Sequence, residues 1–190
     1  MPSPPSPDDD FTARYAAVAP ALHAWACLSV RGPPGRHLDA EDLTQEVCVA
    51  AYRGNDGYDA KRGSYRAWIF GVAKNVLLMQ MRSLARAHAR SGTVEALQSR
   101  AGTVPEDATT VSRRVARDEG LARAVHQLQQ LDEEDRQLML YRGLEGLKHA
   151  EVGQLMGLET EQAKKRWQRL RTRLMALPEV AEVADLLGTH

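Results

Sequence analysis

Residues 148–177 read KHAEVGQLMGLETEQAKKRWQRLRTRLMAL and contain the features of a helix-turn-helix. This motif needs a small residue where the helices cross, a glycine at the turn and an apolar residue that faces back from the second helix. Gly153, Gly157 and Ala163 meet these needs at spacings of four and six. The segment therefore predicts helices over about 148–156 and 160–177, joined by a three-residue turn.

The second of these helices has an apolar side and a basic side. Its predicted buried stripe consists of Ala163, Trp167, Leu170, Leu174 and Leu177. The basic side suits the major groove of DNA, where Arg and Lys contact guanine edges and phosphates and Gln contacts adenine. A basic helix on the solvent side of an ordinary bundle would carry the same charges, but the turn favours DNA binding. The expected DNA-contacting residues are Thr160, Gln162, Lys164, Lys165, Arg166, Gln168 and Arg169.

The chain on the N-terminal side of this motif also follows helical periodicity, without the alternation typical of β-strands. A first helix, over about 11–30, has an apolar stripe formed by Phe11, Tyr15, Val18, Leu22 and Trp25. A second helix, capped by Asp39 and ending near residue 53, faces inward with Leu43, Val47, Ala50 and Ala51. A third, over about 65–89, is predicted to bury Ile69, Val72, Val76 and Met79.

Residues 91–110 have the composition of a linker, and helical periodicity is clear again from residue 111. The apolar positions of this next segment are Val111, Val115, Leu121, Val125 and Leu128. Asp132 is expected to cap a further helix that carries Leu138 and Leu140, and Gly143 and Gly146 bracket the turn that follows. The pattern thus leads directly into the helix-turn-helix.

The predicted fold class is all-α, with two small helical domains joined by a flexible linker. The first is a three-helix N-terminal bundle and the second is a C-terminal helix-turn-helix bundle. The expected boundaries are a disordered tail at 1–10, a first domain at 11–90, a linker at 91–112, a second domain at 113–177 and a C-terminal tail at 178–190. This tail forms a short apolar helix through Val180, Val183 and Leu187 or remains frayed.

Local charge is more informative than the net charge, which is zero. Residues 39–59 hold six acidic side chains against one base, whereas residues 60–94 contain no acidic residue and seven Lys or Arg residues. A second basic cluster lies at 164–173. Adjacent blocks of opposite sign indicate two separate partners.

Other features of the sequence indicate the cellular compartment and restrict the possible chemistry of the protein. Two cysteines, Cys27 and Cys48, are too few for a disulfide framework and favour a reducing compartment. The N-terminus lacks a signal peptide pattern, and no apolar run reaches membrane-spanning length. We therefore expect a cytoplasmic protein with no membrane insertion, no small-molecule substrate, no cofactor, no metal and no catalytic residue.

Three segments, taken together, resemble the extracytoplasmic-function (ECF) RNA polymerase sigma factors. Residues 39–47, DAEDLTQEV, are similar to the core-polymerase-binding motif of that family, and residues 61–75, KRGSYRAWIFGVAKN, are similar to its segment that melts and reads the promoter −10 element. Residues 131–174, with Arg136, Glu145 and the helix-turn-helix, resemble the domain that reads the −35 element. The three segments follow the family's order.

The resemblance implies a sigma factor that binds core RNA polymerase and directs promoter recognition and transcription initiation. Its linker would pass through the active-site and RNA-exit channel, and an anti-sigma factor is a common further partner. The implied core-binding residues are Asp39, Asp42, Gln45 and Glu46. The implied −10 DNA-binding residues are Tyr58, Lys61, Arg62, Tyr65, Arg66, Trp68, Lys74 and Asn75. Asn75 and the 55–64 loop would hold an extruded base, and Phe70 is a further candidate for base stacking; Trp68 could equally be a core residue.

Some positions depart from the family pattern. Cys48 replaces a large apolar residue, and Met79 stands where Asp is common. Lys148 and Glu159 stand where a hydroxyl-bearing helix cap is usual, and Ala163 is smaller than the usual β-branched residue. These departures leave the architecture intact and bear on which promoter sequence is recognised and on local stability.

Two alternatives remain open from the sequence. The first is a helix-turn-helix regulator that acts without replacing sigma and binds DNA tightly without core polymerase. The second is an enzyme, for example a metal-dependent nuclease or hydrolase. Its metal or redox site would use His23 and Cys27, four residues apart on one helix, with His37 and Cys48. No CxxC or HExxH pattern accompanies these residues.

Overall fold

The computed structural model describes residues 7–30, 38–89 and 106–187. Over these residues the chain is helical and contains no β-strand, which confirms the predicted all-α class. The helices are α1 (Pro7–Ser29), α2 (Ala40–Arg53), α3 (Tyr65–Ala89), α4 (Glu106–Ala116), α5 (Glu119–Leu128), α6 (Glu133–Leu138), α7 (His149–Met156), α8 (Thr160–Met175), α9 (Pro178–Glu182) and α10 (Ala184–Leu187). A 3₁₀ turn at Asn55–Gly57 follows α2, and a π-helical turn at Met139–Leu144 follows α6.

The first three helices form the predicted N-terminal bundle. All five residues of the predicted α1 stripe are buried, and α1 packs against both α2 and α3. Asp39 caps α2 as expected, because its Oδ1 accepts hydrogen bonds from the N–H groups of Glu41 (2.7 Å) and Asp42 (3.2 Å). Leu43, Val47 and Ala51 are buried on the inner side of α2, whereas Ala50 is half-buried.

The predicted buried face of α3 is only partly correct. Ile69 is buried, but Val72 and Val76 are half-buried and Met79 is 67% exposed. The buried face instead runs through Ile69, Phe70 and Ala73. Because α2 has 14 residues and α3 has 25, α2 cannot cover the whole length of α3. The C-terminal half of α3 therefore carries exposed apolar side chains.

Two helix starts lie inside segments that were predicted to be irregular. Helix α1 begins at Pro7, since proline is tolerated in a first turn, and Asp10 forms a 2.7 Å ion pair with Arg14 one turn later. Helix α4 begins at Glu106, within the predicted linker, and packs on α1 and α2. Ser112 of α4 is buried, and its Oγ lies 3.0 Å from the hydroxyl of Tyr15. The remaining linker residues 91–105 and the breaker 31–35 lie outside the described residues.

In the C-terminal part of the chain, α8 packs against α7 and α9. Asp132 caps α6 as predicted, and its Oδ1 accepts from the N–H of Asp135 at 2.8 Å. The C-terminal tail is helical: Val180, Val183 and Leu187, the three apolar positions noted in the sequence, are all buried. Helix α9 packs on α5, and α10 packs on α1. No helix in the described ranges is long and apolar enough to cross a membrane.

Candidate nucleic-acid interface

The turn between α7 and α8 has the geometry that the sequence predicted. A Cβ on Gly153 would lie 2.6 Å from the carbonyl oxygen of Leu158, so only glycine fits where the chain turns back over α7. Gly157 has a φ of 66°, the left-handed conformation that favours glycine. Ala163 is fully buried on the inner side of α8. These three residues fix how α8 lies against α7.

The two unusual cap residues are compensated by their neighbours. The N–H of Lys148 donates to Glu151 Oε2 at 2.7 Å, and the N–H of Glu159 donates to Gln162 Oε1 at 3.1 Å. These contacts are the side-chain-to-cap half of a capping box. Gln162, expected only as a DNA contact, therefore also supports the start of α8.

The basic side of α8 faces solvent. Trp167, Leu170 and Leu174 are buried beneath it, while Leu177, beyond the helix, is half-buried. Six of the seven candidate −35 residues have exposed side chains: Thr160, Gln162, Lys164, Lys165, Gln168 and Arg169. A helix with a buried apolar stripe and an exposed basic face can enter a major groove.

Arg166 differs from the other six candidates, because it is half-buried and paired. Its guanidinium forms an ion pair with Glu134, and its Nε lies 3.3 Å from Asp135 Oδ1. The largely buried carboxylate of Asp135 also pairs with Arg173. Arg166 thus ties α8 to α6, a role that its position in the basic cluster did not reveal.

A cleft of about 680 Å³ lies beside α8. Arg142 and His149 line it opposite Lys164, and neither Arg142 Nε nor His149 Nε2 has a hydrogen-bond partner. Burial lowers the pKa of His149, and the nearby charges of Arg142 and Lys164 lower it further. The sequence did not identify Arg142 and His149, since both lie outside the predicted recognition helix.

On the N-terminal side, three candidate −10 residues form an aromatic cluster. The ring centroids of Tyr58, Tyr65 and Trp68 lie 5.2–5.6 Å apart. The guanidinium of Arg14 lies 5.0 Å from the Tyr65 centroid and 5.7 Å from that of Tyr58, a contact that the sequence did not suggest. Burial raises the pKa of Tyr65 to about 12. Tyr65 Oη and Asn55 Oδ1 are buried without hydrogen-bond partners.

The remaining candidates of the −10 segment fall into two groups. Lys61, Arg62 and Asn75 have exposed side chains. Arg66 and Lys74 instead contact residues 143–145 of the C-terminal part of the chain. Phe70 is 1% exposed and packs edge-on against Trp25, so its proposed role in base stacking is wrong.

The candidate core-binding residues lie along the outer side of α2. Asp42 is exposed, and Gln45 and Glu46 are half-buried but reach solvent. Gln45 Nε2 donates to Glu41 Oε1 at 3.2 Å, and Gln80 Nε2 of α3 donates to Glu46 Oε2 at 2.7 Å. Asp39 is exposed, and its carboxylate caps the helix. The four residues thus present a polar, largely acidic surface at the N-terminal end of α2.

Of the described residues considered for a metal or redox site, His23 and Cys27 lie together, whereas Cys48 lies apart from them. Cys27 Sγ lies 3.6 Å from His23 Nε2, but Cys48 packs near Tyr15 in the core. Burial raises the pKa of both thiols to about 11, which keeps them protonated. Within the described residues no three His, Cys, Asp or Glu side chains are grouped as metal ligands. His37 lies outside the described residues.

Comparison with known proteins matches both helical parts of the chain. The family model for sigma-70 region 2 matches residues 15–87, and the model for sigma-70 region 4 matches residues 121–174. The ECF RNA polymerase sigma factor ShbA of Streptomyces griseus is 30% identical over 144 residues, which cover 76% of this chain and 73% of ShbA. The RNA polymerase sigma factor CnrH of Cupriavidus metallidurans is 28% identical over 144 residues, 73% of each chain.

A solved structure that the chain matches is the sigma factor RpoE in complex with the anti-sigma factor NepR from Bartonella quintana. Its sequence identity to this chain is 24% and its TM-score is 0.47, with coverage of 92% of this chain and 98% of that one.

Proposed function

Because the chain belongs to the ECF RNA polymerase sigma factors, we propose that its two helical parts divide promoter recognition between them. The protein binds core RNA polymerase and directs transcription initiation from promoter DNA. In our proposal residues 11–90 bind core polymerase and the −10 element, and residues 113–177 read the −35 element. No residue has a catalytic role in this scheme.

The −35 assignment rests on the exposed basic face of α8. The turn before this helix requires glycine at Gly153 and favours it at Gly157. Gly153 and Gly157 set the angle of α8, and its apolar stripe is already buried, so the exposed residues of the basic side face solvent. Lys165 and Arg169 lie one helical turn apart and are both exposed. Such a pair can reach base edges or phosphates in one groove.

For the N-terminal part, we propose that the outer side of α2 binds the polymerase and that α3 holds the melted −10 strand. Because residues 60–94 include no acidic side chain, this segment favours the binding of a polyanion such as a DNA strand. Lys61, Arg62 and Asn75 are exposed and can contact such a strand. The unpartnered Asn55 Oδ1 belongs to the turn before α3, and the unpartnered Tyr65 Oη to its first residue.

The test is in-vitro transcription with purified core polymerase and promoter fragments from the source genome. We expect specific transcripts only when both proteins are present. A helix-turn-helix regulator that does not replace sigma would instead bind DNA tightly alone and leave core polymerase inactive at these promoters.

Replacing Lys165 or Arg169 with Ala is expected to weaken promoter binding by the holoenzyme. A phosphate contact would be lost equally for all sequences and would lower the salt slope by about one unit. A base contact would cost about 1–3 kcal/mol and depend on the −35 sequence. Arg123→Ala, which removes an exposed arginine from α5, is the matched control. Equal footprints for all three variants and wild type would remove α8 from the DNA interface.

Asn75→Ala is expected to leave closed-complex formation nearly normal and to reduce open-complex formation. A base that leaves the stack must gain replacement contacts, because its extrusion costs a few kcal/mol. Permanganate reactivity of unpaired thymines measures the opening. A template already unpaired across the −10 region should restore much of the activity. If duplex promoters open as well with the variant as with wild type, Asn75 holds no base.

A further inference from the structure

A largely buried carboxylate pairs with two arginines of α8. Asp135, the third residue of α6, is 7% exposed. Its Oδ1 lies 3.3 Å from Arg166 Nε, and its Oδ2 accepts a hydrogen bond from Arg173 Nη2. Glu134, the preceding residue, forms an ion pair with Arg166. Two acidic residues of α6 thus neutralise two of the basic residues of α8.

Apolar packing already holds α8 in place beside these ion pairs. Trp167, Leu170 and Leu174 are buried along its inner side. A Cβ on Gly143 would lie 3.0 Å from Trp167 Cη2, so the indole packs closely against the backbone of the π-helical turn. Apolar burial stabilises directly, whereas an ion pair taken out of water gains little beyond its desolvation cost. The apolar packing therefore fixes the helix, and the ion pairs of Asp135 fix the two guanidinium groups.

The two arginines lie on the flank of the basic side, next to a candidate DNA contact. Arg166, Arg169 and Arg173 are spaced by three and four residues, so their side chains leave α8 on one side. Arg169 is exposed and is expected to contact DNA. A helix in the major groove has the phosphate backbones along its flanks. Arginines on this flank can therefore reach phosphates when no carboxylate holds them.

The paired arginines keep their charge and remain close to the surface. Burial lowers the pKa of Arg166, but its hydrogen bonds to Glu134 and Asp135 outweigh this effect and raise the pKa above its ordinary value. The side chain of Arg173 is 58% exposed, so a polyanion can approach it. Because the fold already holds Asp135 beside both arginines, its carboxylate competes with a phosphate without the ordering cost of association.

Unpaired cations on a DNA-binding helix increase its affinity for any DNA sequence. Each phosphate contact releases counterions independently of sequence, whereas specificity is the ratio between the affinities for promoter and other DNA. On a promoter, base contacts fix the register of the helix, but on other sequences the helix can shift to reach additional phosphates. Holding two arginines back therefore weakens binding to other sequences more than binding to promoters.

We propose that Asp135 is a positioning residue that determines the specificity of −35 recognition. Its carboxylate, together with that of Glu134, holds the guanidinium groups of α8 against α6 and keeps them from the phosphates of non-promoter DNA. The proposal rests on the proposed function of α8 as the helix that reads the −35 element. It gives Arg166 a role opposite to the DNA contact that its charge predicts, and it gives Arg173 the same role.

The experiment measures the salt dependence of DNA binding by the holoenzyme, formed from core polymerase and the full chain. Fluorescence anisotropy gives the affinity for a promoter duplex and for the same duplex with a scrambled −35 element. Asp135→Asn should release Arg173 and steepen the salt slope on the scrambled duplex by about one unit. Glu134→Gln combined with Asp135→Asn should release Arg166 as well and steepen the slope by about two units.

The same variants should lose specificity. One additional phosphate contact strengthens binding by up to ~8-fold at 0.1 M salt, and the scrambled duplex should show this gain for Asp135→Asn. The promoter duplex should gain less, because base contacts restrict its register. The ratio of the two affinities is therefore expected to fall at least ~3-fold.

Further variants distinguish a released arginine from a general effect of charge. Arg173→Gln added to Asp135→Asn should return the salt slope to that of wild type, because it removes the released cation. Asp135→Glu keeps the carboxylate and should keep the wild-type slope. Glu119→Gln removes an exposed negative charge from α5 and should leave both affinities unchanged. Circular dichroism measures the helical content of each variant.

Arg173→Gln in the otherwise wild-type chain tests the proposal without changing a buried residue. Because Asp135 withholds this arginine from DNA, the substitution should leave the salt slope unchanged. A slope that falls by about one unit would mean that Arg173 already contacts DNA, and would overturn the proposal. A folded double variant at Glu134 and Asp135 with the slope and specificity of wild type would overturn it as well.

Lys165→Ala in the same assay allows the two proposals to fail separately. A lower slope for Lys165→Ala, with no increase for Asp135→Asn, would refute the role of Asp135 and retain α8 as the DNA-binding helix. If neither substitution changes the slope, α8 does not contact DNA and the proposed function of this helix fails.

Discussion

Reversing the charges of Asp42 and Glu46 to Arg is expected to abolish binding to core polymerase while leaving the fold intact. Asp42 is exposed, and the apolar side of α2 is already buried through Leu43 and Val47. A charge reversal on such a surface changes the free energy of unfolding by no more than about half a kcal/mol. The lost hydrogen bond from Gln80 to Glu46 adds about 1 kcal/mol. Pull-down with purified core polymerase gives the binding, and circular dichroism gives the fold.

A matched charge reversal on another surface tests whether a loss of core binding is a general effect of net charge. Glu119 and Glu182 are exposed acidic residues of the C-terminal part. Their double reversal changes the net charge by the same amount and should leave core binding unchanged. If the variant at Asp42 and Glu46 still retains core polymerase as wild type does, α2 is not the binding surface.

Gly153→Ala is expected to destabilise the helix-turn-helix and to remove −35 recognition. The added Cβ would lie 2.6 Å from the Leu158 carbonyl oxygen, a backbone atom that cannot move without opening the turn. Steric overpacking of this kind costs about 1–3 kcal/mol. For a chain of this length each kcal/mol lowers the melting temperature by about 2–4 °C. Thermal unfolding and promoter footprints measure the two effects.

Gly71→Ala is the control for this substitution, since a Cβ there meets no atom within 4 Å. In the interior of α3 the change from Gly to Ala should stabilise by about 0.5–1 kcal/mol. The two alanine variants are therefore expected to shift the melting temperature in opposite directions. A melting temperature for Gly153→Ala equal to or above that of wild type would mean that the close approach of α7 and Leu158 is absent in solution.

The sequence predicted the helix-turn-helix most accurately, because each requirement of that turn falls on one residue type. Only glycine fits at Gly153 and is favoured at Gly157, and the apolar spacing of α8 leaves one possible buried face. The acidic and basic blocks likewise indicated the exposed positions Asp42, Lys165 and Arg169. The sequence was therefore sufficient for predicting positions whose structure depends only on neighbouring residues.

The sequence was less informative where the partner of a side chain lies far along the chain. Arg66 and Lys74 belong to a basic segment, and nothing nearby indicates that Glu145 and Leu187 contact them. Met79 was expected to be buried because its spacing from Val72 and Val76 is helical, but periodicity does not show where the covering helix ends. The charge of Arg166 predicts a DNA contact, but it does not reveal the pairing of this residue with Asp135 on another helix.

The position of α10 against α1 also affects how the protein is made. Helix α1 is complete at Ser29, and α10 ends about 160 residues later, at Leu187. At a synthesis rate of about 5–20 residues per second, part of the apolar surface of α1 stays uncovered for roughly 10–30 s on the ribosome. Helices α2 to α4 can shield their share of it early. The nascent chain therefore passes through a stage in which the N-terminal helices are folded and Arg66 and Lys74 are not yet contacted by Leu144 and Glu145.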